Sequence, residues 1–246
     1  MRLLGHVEPS IERPYVVLKY AQTLDGRIAT TNGDSQWISG EAERQISHAM
    51  RAACDAVVVG IGTILRDDPQ LTVRMVPGAS PLRVVLDSAP RVPMKAEVLS
   101  ADAATLVITS DRSDPAKREN LKAVGVGVHV VPTTARGLDI PAVLAQLRDA
   151  GVESVLIEGG AKVVTSVLAA ALVDRIVVGT APKIMGNGTN AIGDLGVGRV
   201  TEAIRLINRT VQVTDDDVLM AWDVDNSHFR SKAADDRQLV GAGEER

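Results

Sequence analysis

The chain has 246 residues, 45% of them hydrophobic and 24% charged, the make-up of a soluble globular protein with room for one large domain or two small ones. Its 27 basic and 31 acidic residues leave a net charge of −4, and aromatics are only 2%, which argues against a basic nucleic-acid footprint and against a base-stacking surface. A single cysteine, Cys54, excludes an internal disulfide framework, and the four scattered histidines lack the spacing of a metal-binding helix, so no metal is expected.

The N-terminal residues carry no apolar signal core and no run reaches ~18 apolar residues, which predicts a soluble, cytoplasmic protein. Residues 14–20 form a β-rich run that ends near Lys19 and Tyr20. Residues 40–54 predict a helix with Ala42, Ile46, Ala49, Met50 and Ala53 on its apolar face, Ser39 as N-cap and Arg51 on the opposite face. Continuous apolar runs at 55–60, 81–87, 105–109, 126–131, 154–157 and 174–179 suit strands buried on both faces. Helices alternate with them: one opened by Asp114-Pro115 and ended by Gly125, one capped by Asp139 and ended by Gly151, and one over residues 160–172. Runs at 204–213 and 217–224 look like an antiparallel pair closing the sheet. This order predicts an α/β fold with a mainly parallel central sheet flanked by helices, in one domain over 1–224, followed by a polar, flexible tail over 225–246.

Chemistry is expected beyond the carboxyl ends of the strands, where ligands bind in open α/β sheets. Lys19 stands inside an apolar run, which marks a sheet edge or a site. Trp37, in Ser35-Gln36-Trp37-Ile38-Ser39, reads either as a staple at the helix entry or as a cover for a flat ring. Arg51 and Arg74 carry the planar fork that suits phosphate, although most surface arginines serve no such purpose. Gly60-Ile61-Gly62-Thr63 follows a strand and opens a helical turn, close to a dinucleotide fingerprint but without its third glycine. Asp87 ends the next strand, as that fingerprint would want, while Asp67-Asp68-Pro69 reads as a helix-ending turn. Glu158 ends a buried strand, where an unpartnered carboxylate is costly, and Gly159-Gly160 let a diphosphate approach the amides of the next helix. Residues 181–188 make a tight loop that is either a plain connection or a ligand wall.

In their order along the chain these segments resemble the reductase domain of bacterial riboflavin biosynthesis. They look like the 5-amino-6-(5-phosphoribosylamino)uracil reductase family and its archaeal and fungal diaminopyrimidine counterparts. The resemblance runs from about Arg13 to Val224, and Thr23 stands where the family usually has serine. It implies a dihydrofolate-reductase-like fold, NADPH as cofactor, a homodimer, and reduction of a ribosyl group to ribityl on a pyrimidine 5′-phosphate. By resemblance, Lys19 and Glu158 assist proton traffic. Ser35, Arg51, Leu71, Arg74 and Glu158 match substrate contacts, with the two arginines near the 5′-phosphate. Ala21, Trp37, Thr63, Asp67, Ser88, Gly160, Ala161, Lys162, Val163, Val164, Thr165 and Ser166 match NADPH contacts. Arg91, close to Ser88, is a further candidate for selecting the cofactor's 2′-phosphate. Zinc-ligand motifs of a deaminase are absent, which leads to the expectation of a freestanding reductase. Alternatives are another reductase of the same fold acting on a pteridine or dihydrofolate, a non-catalytic nucleotide-binding module, and a plain Rossmann dehydrogenase.

Overall fold

A computed structural model describes residues 2–226. In chain order it holds β1 (Tyr15–Thr23), β2 (Arg27–Thr30), α1 (Glu41–Ala52), β3 (Ala56–Gly60), α2 (Ile61–Asp67), β4 (Leu82–Leu86), β5 (Thr105–Ser110), α3 (Pro115–Ala123) and β6 (Gly127–Val131). There follow β7 (Thr133–Thr134), β8 (Gly137–Leu138), α4 (Ile140–Asp149), β9 (Ser154–Ile157), α5 (Ala161–Ala169), β10 (Arg175–Ala181), β11 (Gly188–Asn190), β12 (Leu206–Val213) and β13 (Val218–Val224). All but the first two residues of the expected tail, 225–246, lie outside the described residues.

Nine strands form one sheet in the order β12-β13-β10-β1-β9-β3-β4-β5-β6. Every pairing from β10 to β6 is parallel, while β13 pairs antiparallel with both β10 and β12. The mainly parallel sheet with an antiparallel C-terminal pair is therefore as expected. Its central strands read as unbroken apolar runs because both faces are covered. On one face Val16, Leu18, Val58, Val84 and Ile157 meet Leu144 and Leu147 of α4 and Val164 and Leu168 of α5. On the other, Val57, Val59, Val85 and Val107 meet Ile64 of α2 and Leu121 of α3, and Val17, Leu156 and Val177 meet Met50 of α1. Each such Val or Leu side chain stabilises the fold by about 1.5–3 kcal/mol on burial.

The helix boundaries follow local chemistry. Asp114 and Asp139 cap α3 and α4, their carboxylates accepting from the amides of Ala116 and Ala142. Helix α5 stops at Ala169, short of the expected 172, and Ala171 takes a positive φ just beyond it.

Helix α1 differs from expectation in two ways. Its N-cap is Gly40 rather than Ser39, and no side chain caps it. Its buried residues are Glu43, Ser47, His48 and Met50, so of the expected apolar stripe only Met50 is buried. Arg51, expected on the outer face, is mostly buried. The stripe consists largely of alanines, whose small apolar area drives burial weakly. The charges that α1 meets on the sheet decide its rotation instead.

Candidate active site

A cavity of about 640 Å³ opens at the carboxyl ends of β1, β3, β4 and β9. These four strands include neighbours in the sheet, so residues far apart in sequence converge there. From β1 come Lys19 and Ala21, from the β3–α2 junction Gly60 to Thr63, from beyond β4 Ser88 and Arg91, and from the β9–α5 junction Glu158 to Val163. Ser35, Asp67 and Ser166 also line it.

The two glycine-bearing junctions pack against each other. Gly159 and Gly160 have φ of 91° and 82°, a region that L side chains rarely enter. A Cβ on Gly160 would stand 3.4 Å from the Thr63 hydroxyl, and one on Gly60 would stand 2.8 Å from Val163. No side chain caps the N-terminus of α5, so its first amides face the cavity region with the positive end of the helix dipole.

The opposite wall is built from two ion pairs. Arg51 donates from Nε to Oε1 of Glu158 at 2.8 Å and from Nη2 to Oε2 at 2.5 Å, and its Nη1 donates to the Thr72 carbonyl at 3.2 Å. Burial alone would raise the Glu158 carboxyl, but the charge and hydrogen bonds of Arg51, with Lys19 and His48 behind, hold it below its ordinary range. The strand-end glutamate thus has the partner that its burial demands. Lys19 Nζ lies 2.6 Å from Oε1 of Glu43, a residue of α1 that is fully buried. His48, also on α1, is pushed down to about 4 by burial first and by the charges of Arg51 and Arg74 next. Its neutral Nδ1 accepts from the Arg74 amide at 3.1 Å.

Further candidates fall at different places. Ser35 donates to Asp67 at 3.0 Å, so these two cavity residues are tied together. Arg51 stands directly behind Glu158, and Leu71 is buried with a positive φ of 56°. The Arg74 side chain is exposed and donates to Gln70 at 3.4 Å. Trp37 is 61% exposed and does not line the cavity, and the Arg44 guanidinium lies 4.6 Å from its ring centroid. The loop after β10 fixes that segment, since Lys183 Nζ donates to the carbonyls of Trp37 and Ile38 at 2.6 and 2.8 Å. Val164 is buried in the core, and Thr165 donates back to the Ala161 carbonyl. Asp87 is fully buried and accepts from the amides of Arg91 and Val92, which leaves Arg91 at the cavity rim.

Sequence reasoning did not single out Glu43 or His48 as site groups, nor Arg66 and Arg136, which line the cavity. Arg136 comes from the short β7–β8 hairpin, which carries no sequence signal. Lys19, Arg66, Arg91, Arg136 and Lys162 face the cavity against the carboxylates of Asp67 and Glu158, so the cavity is cationic although the chain is acidic. Such a site suits an anionic ligand.

This chain is similar to known proteins over most of its length. The family model for the RibD C-terminal domain matches residues 14–220. Riboflavin biosynthesis protein RibD of Aquifex aeolicus is 40% identical over 211 residues, covering 85% of this chain and 57% of that protein. The 2,5-diamino-6-ribosylamino-4(3H)-pyrimidinone 5′-phosphate reductase of Methanothermobacter thermautotrophicus is 37% identical over 217 residues, covering 86% of this chain and 99% of that protein. A Thermotoga maritima structure described as a diaminohydroxyphosphoribosylaminopyrimidine deaminase/5-amino-6-(5-phosphoribosylamino)uracil reductase has a TM-score of 0.69 at 32% identity, covering 87% of this chain and 57% of that one. A dihydrofolate reductase from Enterococcus faecalis complexed with NADP(H) shares the fold, with a TM-score of 0.50 at 13% identity, covering 86% of this chain and 96% of that one. This chain therefore spans little more than half of the Aquifex and Thermotoga proteins and nearly all of the Methanothermobacter one.

Proposed function

The chain belongs to the family of the RibD C-terminal domain, and we propose that it is an NADPH-dependent reductase converting the ribosyl group of a ribosylaminopyrimidine 5′-phosphate to ribityl in riboflavin biosynthesis. The observation that carries this reading is one cavity in which Lys19 and Glu158 face the two glycine-bearing junctions at Gly60 and Gly160. The residues present fit a dinucleotide: the open space beside the cavity-lining Gly62 and Gly159, the open N-terminus of α5, and the cations Arg91, Arg136 and Lys162. Thr63, Ser88, and Gly160 to Val163 would hold it, with Ala21, Asp67 and Ser166 at its edges.

When bound, NADPH supplies the hydride that reduces C1′ of the open-chain, imine form of the ribosylamine. The protein's task is positioning and proton handling. Lys19 carries a proton at Nζ toward the sugar end of the site. Glu158, kept ionised by Arg51, accepts hydrogen bonds from ribosyl hydroxyls. Ser35, anchored on Asp67, orients the substrate from the side of β2, and Arg74 lines its approach beyond the cavity wall, with Arg51 and Leu71 buried behind that wall.

The reading takes 1–224 as one reductase domain in the cytoplasm, acting as a homodimer. Support for a dimer comes from β12, an edge strand on which Leu206, Val211 and Val213 share one face and are 40%, 50% and 70% exposed, a face that a second copy would cover. No helix among the described residues is long and apolar enough to cross a membrane. The test follows NADPH absorbance at 340 nm with the diaminopyrimidinone and the deaminated uracil forms of the ribosylamino phosphate, each prepared enzymatically. Oxidation of NADPH that depends on either compound supports the reading, and none with both refutes it.

A further inference from the structure

We propose that Glu43 is the positioning residue for Lys19, holding its ammonium at the cavity wall from α1, which packs on the same face of the sheet as the Lys19 side chain. Glu43 has no solvent exposure, and neither of its carboxylate oxygens has a hydrogen-bond partner in the described structure. Its compensation is the Lys19 ammonium, whose Nζ lies 2.6 Å from Oε1 and outside hydrogen-bond alignment. A buried carboxylate without donors is costly and persists only where its charge is matched. Lys19 lines the cavity and Glu43 does not, so the carboxylate reaches a bound ligand only through the lysine.

The sheet is shaped to admit this pair. Gly179 of β10 pairs with Ala21 of β1, two residues beyond Lys19 on the same face. A Cβ at Gly179 would stand 2.8 Å from Oε1 of Glu43 and 3.2 Å from its carboxyl carbon. Glycine there leaves the space that the carboxylate occupies. The other charged or titratable groups around Lys19 are Glu158 beyond β9 and His48 and Arg51 on α1, and Arg51 is already bound to Glu158. Glu43 is the carboxylate left to Lys19, so α1 supports both cavity charges, with Glu43 behind Lys19 and Arg51 behind Glu158.

The catalytic half of this inference rests on the reductase reading, and the experiment separates the two. Wild type, Glu43→Gln and Gly179→Ala are labelled with limiting acetic anhydride, and acetylation of Lys19 is read by mass spectrometry against exposed Lys162. Loss or displacement of the carboxylate frees the Lys19 amine from its ion pair, and the Lys19 to Lys162 ratio rises several-fold. An unchanged ratio in both variants overturns the inference. In turnover, Glu43→Gln lowers kcat roughly tenfold to a hundredfold with the NADPH dissociation constant unchanged, and adds no loss in a Lys19→Met background. Equal losses in the two backgrounds mean a structural role and also overturn it. If wild type turns over neither ribosylamino phosphate, the functional reading fails, while the labelling ratio still decides the role of Glu43.

Discussion

His48 makes the pH dependence of stability the sharpest test of the buried charge arrangement around α1. Its imidazole is neutral in the folded chain, pushed from 6.5 to about 4 by burial and by Arg51 and Arg74. The unfolded chain takes up the proton first, so stability is level above 6.5, falls as the pH drops toward about 4, and loses nothing more from this residue below that. Each tenfold difference in proton affinity is worth about 1.4 kcal/mol, so His48 alone removes roughly 3 kcal/mol across that window. Protonation also removes the Nδ1 acceptor of the Arg74 amide, which places the damage in the segment beside Leu71 and Thr72. His48→Asn keeps an acceptor at a similar place without titrating. Urea unfolding of both proteins from pH 7.5 to 4 should show the wild type ahead at neutral pH and the difference narrowing by about 3 kcal/mol on acidification. Curves that stay parallel throughout would refute the reasoning. Glu158 intrudes only at the acid end of the measurement, because a carboxyl held below its ordinary range begins to give up its stabilisation only below 4.5, and does so in both proteins.

Other substitutions test the remaining walls of the cavity. Glu158→Gln should lower kcat with little change in the NADPH dissociation constant, measured by fluorescence titration. Arg51→Ala leaves a buried carboxylate alone and should cost about 3 kcal/mol in urea unfolding while raising KM for the phosphorylated substrate, and an unaltered unfolding midpoint would show that the pair is dispensable. Arg91→Ala should narrow the preference for NADPH over NADH, read as the ratio of their dissociation constants, and an unchanged ratio removes Arg91 from cofactor selection. Gly160→Ala forces a side chain into a positive φ of 82° beside Thr63, so a stability loss of about 1–2 kcal/mol and weaker NADPH binding are expected in calorimetry.

How much of this molecule is legible in its sequence depends on which interactions decide each feature. The strands are legible because burial on both faces of a parallel sheet writes itself as runs such as Ala56–Gly60 and Leu82–Leu86. Helices α3 and α4 are legible because their caps, Asp114 and Asp139, act on amides two or three residues away. Glu158 is legible as a site candidate because a carboxylate ending a buried strand needs an explanation wherever its partner is. The partner itself is not legible: Arg51 stands 107 residues away, and only the adjacency of β9 to β1, with α1 packed over them, brings the two together.

Helix α1 shows why the failure takes this form. Glu43, Ser47 and Arg51 recur every fourth residue, a pattern that periodicity assigns to the solvated face, while Ala42, Ile46, Ala49 and Ala53 mark the opposite face as core. Periodicity rests on the assumption that apolar area decides which face turns inward. Where a stripe is mostly alanine and the sheet beneath presents Lys19 and Glu158, that assumption reverses, since two unmatched buried charges cost more than the alanine surface returns. The same reversal sets Glu43 beneath Lys19 and Arg51 beneath Glu158, two turns apart on one helix face. A polar stripe on a short helix that follows a strand bearing a lysine or glutamate in its apolar run is therefore the pattern to weigh as a buried positioning face, and the surrounding topology decides between that and solvent.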